Sequence, residues 1–188
     1  MSRRRIATSV VMAVLALSQA TASGQQAAPT PEQVARLVQR QIGTWELNHA
    51  KSKFFFEAPW KSKTVIYRAS SDPLGIEYSS RTVKADGSVD ARVGTELQRL
   101  DGKTYEYFNP QLLIVRRPLD DFRVEINLIV KGYAAGIGTY ARNTQEVSPD
   151  GKQLSVTTRS FTREGKEVVT VIQVFDKAPE APAAISSK

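Results

Sequence analysis

Phe122-Arg123-Val124-Glu125-Ile126-Asn127-Leu128-Ile129-Val130 sets the apolar residues Phe122, Val124, Ile126, Leu128 and Val130 against Arg123, Glu125 and Asn127. A β-strand turns successive side chains to opposite faces, so this run predicts a strand with one buried and one wetted face. Val89 to Leu97 repeats the pattern. There Val89, Ala91, Val93, Thr95 and Leu97 form the small or apolar set, predicted to be buried, and Asp90, Arg92, Glu96 and Gln98 oppose them. Turn signals separate such runs: Ala85-Asp86-Gly87, Leu100-Asp101-Gly102, Pro149-Asp150-Gly151 and Glu164-Gly165. Asp-Gly supplies the positive φ values that tight hairpins require. Strands are expected near 44–48, 63–69, 75–84, 88–99, 103–108, 111–117, 121–131, 136–147, 153–161 and 167–175. No helical pattern lies between them, so crossover helices have no room and the topology must be an up-and-down meander. A meander this long exposes edges unless it closes. The expected fold class is therefore all-β, an antiparallel up-and-down closed barrel of 8–10 strands with one short N-terminal helix.

The helix is read from Thr30-Pro31-Glu32-Gln33, where Thr caps, Pro suits the first helical position and Gln completes a capping box. Val34, Leu37, Val38 and Ile42 follow at helical spacing and give one stripe to pack on the barrel and close one end. Upstream, Ser2-Arg3-Arg4-Arg5, the apolar run Ile6 to Leu17 and Ala20-Thr21-Ala22 have the three parts of a secretory signal peptide over residues 1–22. A flexible leader (23–30), the helix and barrel (31–176) and a disordered tail (177–188) are expected after it, in a protein that is periplasmic or secreted. Cleavage discards three arginines and lowers the formal charge from +7 to +4, which removes most of the apparent signal for nucleic acid.

The 188 residues are one domain's worth, with ordinary globular composition at 41% hydrophobic and 24% charged. With no Cys, disulfides, thiolate nucleophiles, iron–sulfur clusters, Cys-based zinc sites and a lipidated cysteine are all excluded. His49 is the single imidazole, so a site needing two is excluded as well. No cofactor, metal or catalytic residue is expected.

Gly43-Thr44-Trp45-Glu46-Leu47-Asn48, continuing His49-Ala50-Lys51-Ser52-Lys53-Phe54, resembles the opening of small exported bacterial lipocalin-like proteins. Lys84-Ala85-Asp86-Gly87 and Ser148-Pro149-Asp150-Gly151-Lys152 add to the resemblance, which spans roughly 43–176. It implies a calycin barrel, as in lipocalins and fatty-acid-binding proteins, with Trp45 at its base. In lipocalins an Arg near the last strand packs over that Trp. The strand expected at 167–175 contains no Arg, and Arg159 and Arg163 are the upstream candidates.

A barrel of this size can enclose one small ligand. Arg116 and Arg117 are adjacent on a strand, so only one points inward. An inward Arg beside Tyr105, Tyr107 or Tyr140 would offer charge-assisted bonds to a ligand carboxylate, with Arg68 and Arg142 as rival anchors. By resemblance, fatty-acid-binding barrels hold head groups in this way. Phe54, Phe55, Phe56 and Trp60, flanked by lysines, form an entrance loop that lines the mouth, caps the barrel end or touches a membrane surface. Gly132 to Gly138 contains Gly-x-Gly but opens no helix, which excludes a phosphate cradle and leaves a bend or ligand space. The expected partner is a small apolar or amphipathic molecule bound by a monomer, with no nucleic acid and at most weak membrane contact. The alternatives are a cofactor-free isomerase or cyclase and an envelope-associated interaction protein.

Overall fold

The computed structural model of the protein describes residues 28–54, 60–107, 109–131 and 139–179. The expected export segment, most of the expected leader, Phe55, Phe56, the glycine stretch 132–138 and the tail from 180 lie outside the described residues.

Helix α1 (Pro31–Gln41) starts where the Thr30 side chain accepts a hydrogen bond from the Gln33 N–H at 3.2 Å. That satisfies one of the donors a helix start leaves open. Val34, Leu37, Val38 and Gln41 are its buried positions and face the sheet. Arg40, in the last turn, holds its guanidinium 4.0 Å from the centre of the Phe122 ring, and Arg36 pairs with Asp121 at 3.0 Å. Both contacts fix the helix over the loop before the seventh strand.

Ten strands follow: β1 (Gly43–Leu47), β2 (Trp60–Ala69), β3 (Gly75–Lys84), β4 (Val89–Arg99), β5 (Thr104–Tyr107), β6 (Asn109–Pro118), β7 (Arg123–Val130), β8 (Thr139–Val147), β9 (Gln153–Phe161) and β10 (Glu167–Lys177). Their order in the sheet is β4-β3-β2-β1-β10-β9-β8-β7-β6-β5, and every pairing is antiparallel. All neighbours are consecutive in the chain except β1 and β10, which pair Trp45 with Lys177 and Leu47 with Phe175. Gly87, Gly102, Gly151 and Gly165 all have φ between +69° and +84°, the conformation for which their turns need glycine.

The protein is thus all-β, one antiparallel ten-stranded sheet with one short helix. Among the described residues the ladder ends at β4 and β5 without pairing them. The sheet curls, because side chains from β2, β3 and β4 line the same cavity as side chains from β6 to β10. The seam between the ladder ends is spanned by other contacts. Arg116 of β6 reaches Glu96 of β4 at 2.7 Å, and in the β4–β5 connection the Gly102 N–H donates to the Arg116 carbonyl at 3.0 Å.

The core fills the helix end. Trp45, Ile76, Leu100, Val124, Val147, Leu154 and Phe175 are almost completely buried there, against Val34 and Leu37 of α1. β7 follows its sequence pattern, with Val124 buried and Ile126 and Leu128 facing the cavity. β4 does not. Val89 and Leu97 are 51% and 40% exposed, while Gln98 is buried and Glu96 reaches Arg116. At the C-terminal end of the strand Thr95 and Leu97 point outward while Glu96 and Gln98 turn inward. On the outer face Leu97 covers Gly75, where a Cβ would come within 2.7 Å of its Cδ1.

The Leu-Asn-x-x-Lys-Ser stretch after β1 is a latch. Asn48 donates from Nδ2 to Asp176 at 2.6 Å, Lys51 pairs with the same carboxylate at 2.8 Å, and the Ser52 hydroxyl donates to the Asn48 carbonyl at 2.7 Å. The residues that carry the family resemblance here therefore tie β1 to β10. The Asn48 bond, then the Lys51 bond, holds the Asp176 carboxyl below its ordinary value. A depressed carboxyl stabilises the fold above the unfolded-state pKa of about 4, and that contribution disappears as pH falls through the lower folded value. Asp176→Asn is expected to be less stable than wild type at pH 7, and the gap should narrow as pH falls below about 4 in thermal melts. A gap that stays constant with pH would mean that the carboxylate charge contributes nothing to the latch.

Candidate functional site

The inner face of the sheet encloses a cavity of about 260 Å³ above the core. This lies just below the roughly 300–1,000 Å³ of pockets that take drug-sized ligands, so it suits a smaller molecule. Its apolar lining is formed by Val65, Ile114, Ile126, Leu128, Leu154, Val156 and Phe175. The remainder is polar: Lys63, Tyr67, Tyr78, Gln98, Tyr107, Arg116, Asn143, Gln145, Thr158 and Gln173.

Strand parity selects these residues. On β6, Ile114 and Arg116 face in while Arg117 faces out, which answers the question left by the adjacent arginines. On β2 the inward set is Lys63, Val65 and Tyr67, and on β8 it includes Asn143 and Gln145. Arg68 is therefore exposed on β2, and on β8 Tyr140 is 42% exposed and Arg142 half exposed. These three expected anchors do not line the cavity. Arg142 instead joins an outer-face cluster in which Glu125 pairs with Arg117 at 2.7 Å and lies 3.7 Å from Arg142. Tyr105 also lies outside, at the seam, where its hydroxyl donates to Asp101 at 2.7 Å and Arg99 stacks 5.4 Å from its ring centre.

Two expected anchors remain inside, Arg116 and Tyr107. Arg116 is only 5% exposed, donates from Nη2 to Glu96 at 2.7 Å and sits 5.6 Å from the centre of the Tyr107 ring. Its buried Nε has no hydrogen-bond partner, and neither does the buried Oδ1 of Asn143. Buried polar atoms without partners cost stability, and Gln41 Nε2 in the core and Arg117 Nε on the outer face share the condition. The Tyr67 hydroxyl donates to Gln145 Oε1 at 3.1 Å, and burial pushes its pKa far above the ordinary tyrosine value. Lys63 donates to Gln173 at 3.2 Å and lies over the rings of Trp60, at 4.8 Å, and Phe175, at 5.8 Å.

Trp45 holds the base and does not line the cavity. Its Nε1–H donates to the Gln41 carbonyl at 2.8 Å, and the Lys177 ammonium lies 5.3 Å from its ring. The cation over the tryptophan is thus a lysine at the very end of β10, two residues past the expected strand end. Phe54 and Trp60 are half-buried and meet edge to face at 5.9 Å; Phe55 and Phe56 lie outside the described residues. His49 is exposed, with Nε2 3.1 Å from the Lys61 carbonyl and its ring 6.2 Å from Phe54.

Sequence reading missed Lys63, Tyr67, Tyr78, Gln98, Asn143, Gln145 and Gln173. The signal for several was present: Lys63 and Tyr67 share the parity of Val65, and Asn143 and Gln145 share that of Ala141 and Val147. No family model and no curated protein matches the chain. Among solved structures, the crystal structure of Rv2717c from M. tuberculosis matches 78% of this chain and 98% of that chain, with 12% sequence identity and a TM-score of 0.45.

Proposed function

We propose that the protein is an exported lipocalin-like carrier whose curled sheet acts as a barrel and binds one small amphipathic molecule. The observation that carries this reading is the cavity itself, whose lining mixes apolar side chains with amides, tyrosines and the buried Arg116. An entirely apolar ligand would cover the polar side chains of that lining without bonding to them, whereas a ligand with a polar end can meet them. Binding is favoured over isomerisation. Among the cavity tyrosines Tyr67 stays protonated at neutral pH, because burial raises its pKa, so it is not poised to move a proton.

Native mass spectrometry of protein purified from its own host tests the reading. The expected result is a mass excess from one small molecule per chain, lost on denaturation. A protein that arrives empty and shows no bound species when challenged with small amphipathic compounds at millimolar concentration would refute it. Tyr107→Phe is expected to leave stability within about 0.5 kcal/mol of wild type, because a half-buried phenol contributes little to the core. If its urea midpoint falls well beyond that, the Tyr107 hydroxyl belongs to the scaffold and not to the binding wall.

A further inference from the structure

The outer face of β6 to β10 is the wetted side of the sheet, yet one transverse row across it is apolar. Leu113 on β6 pairs with Ile129 on β7. Tyr140 follows on β8, in the bulge where the ladder shifts after Leu128, and Phe161 on β9 comes next, one residue beyond the Ala141–Ser160 pair. Phe161 pairs with Glu167 on β10, and Val168 occupies the bulge beside it. Alternation sets this row back to back with Ile114 and Leu128, which line the cavity. Tyr140 and Val168 are 42% and 49% exposed, and Leu113, Ile129 and Phe161 are half-buried.

Cations border the row on both sides. On one side Arg142 and Arg159 are directly opposed on β8 and β9, and the Arg142 guanidinium lies 6.0 Å from the centre of the Phe161 ring. Like charges in that position repel across a ladder, and an anion placed over them relieves the repulsion. Glu125 lies 3.7 Å from Arg142 but is bound more closely by Arg117, and among the described residues Arg159 has no carboxylate partner. On the other side, at the rim, Lys131 stands two residues past Ile129 and Arg163 two past Phe161, with Lys166 in the β9–β10 connection; all three are exposed. The exposed carboxylates nearby, Glu106, Glu164 and Glu167, are outnumbered by these cations.

An apolar stripe between two cationic borders is the pattern of a surface that lies in a membrane interface, where apolar side chains reach the acyl boundary and cations meet headgroup phosphates. A protein partner fits less well. From strand spacing and rise the stripe is roughly 19 Å long and 7 Å wide, a small part of the roughly 800 Å² that each partner buries in a stable complex. A bilayer needs no fixed match of shape, because its headgroups move to the cations.

We propose that this face docks the protein on an anionic lipid bilayer, with the apolar row entering the headgroup region and the flanking cations binding lipid phosphates. The surface is separate from the cavity and from the loop around Phe54 and Trp60, so it stands whether or not the cavity carries a ligand.

The test is sedimentation of the protein, purified from its own host, with vesicles of phosphatidylcholine alone or with about 30% phosphatidylglycerol, at low ionic strength where surface attraction is least screened. Binding to the anionic vesicles is expected to exceed binding to the neutral ones about tenfold. Arg159→Gln should lower it about fivefold, and the double variant Tyr140→Ser with Val168→Ser by a similar factor. Arg68→Gln, the same loss of charge on the outer face of β2, should leave it within about twofold. All these side chains are exposed, so the variants are expected to fold. Equal binding to both kinds of vesicle would overturn the proposal. A loss with Arg68→Gln as large as that with Arg159→Gln would overturn it as well, by reducing the attraction to net charge. So would a dimer in analytical ultracentrifugation that Val168→Ser abolishes, found without vesicle binding, which would make the face a contact between copies of this chain.

Discussion

Trp45→Ala is expected to cost about 3–5 kcal/mol of folding free energy, the range for removing a large aromatic from a packed core. Trp45 is completely buried, and it joins three parts of the molecule. Its indole N–H ends the helix by donating to the Gln41 carbonyl, its backbone pairs with β2 on one side and β10 on the other, and Lys177 covers its ring. Truncation removes the packing of all three and leaves the Gln41 carbonyl without its donor. Trp45→Phe should recover part of the loss, with a remainder of about 1–3 kcal/mol reflecting that orphaned carbonyl. Urea unfolding with an unchanged slope is the measurement. A loss under about 1 kcal/mol for the alanine variant would show that α1 and the sheet hold together without this side chain.

The second large effect concerns the seam. Glu96→Ala leaves Arg116 buried and unpaired, and breaking a buried pair from one side costs about 3–5 kcal/mol. The Glu96 side chain retains 30% of its exposure, so water compensates in part and the lower end, about 3 kcal/mol, is expected. The double variant Glu96→Leu with Arg116→Met should regain most of that stability, because apolar side chains of similar volume pay no desolvation cost. The double variant should also lose binding of polar amphipathic ligands. Stability equal to wild type with binding abolished would separate the two roles of this pair, whereas a double variant no more stable than Glu96→Ala would place the cost in packing and not in charge.

Much of the fold was legible because antiparallel meanders write their rules locally. Alternation such as that of residues 122–130 fixes a strand and its faces, and each Asp-Gly fixes a turn whose φ only glycine accepts cheaply. The strand bounds followed from these two signals. The helix was equally local, since Thr30 and Pro31 set its start and Val34, Leu37 and Val38 its face. β4 was misread for a physical reason. Leu97 points outward while Glu96 and Gln98 turn inward, because the interior at that point must neutralise Arg116, and a partner contributed by a strand 20 residues away leaves no trace in periodicity.

The candidate site was legible only in part for the same reason. Arg116 and Tyr107 could be named as aromatic and cationic groups on strands. Arg68, Tyr140 and Arg142 carried the same chemistry on the wrong parity, and choosing between them required the register of every ladder. The amides of Asn143 and Gln145 were signalled only by their parity with Ala141 and Val147, and Gln98 not at all, since a glutamine or asparagine in a strand reads as solvated until its neighbours show that it is inside. Lys177 was missed because the Ala-Pro-rich tail concealed the last two residues of β10.

The pairing of the first strand with the last has a consequence for the order in which this chain can fold. Each other ladder joins neighbours in sequence and can zip as soon as both have been synthesised, but Trp45 waits for Lys177, almost the whole chain later. Contacts of such long separation form slowly and leave apolar surface open meanwhile. During synthesis the largest core side chain is therefore made among the first and buried among the last, and helix α1 has no finished surface to dock on until then. The interval between hairpin formation and the docking of Trp45 is when this protein is most exposed to aggregation, and any factor that shields the stretch around residues 43–47 would act there.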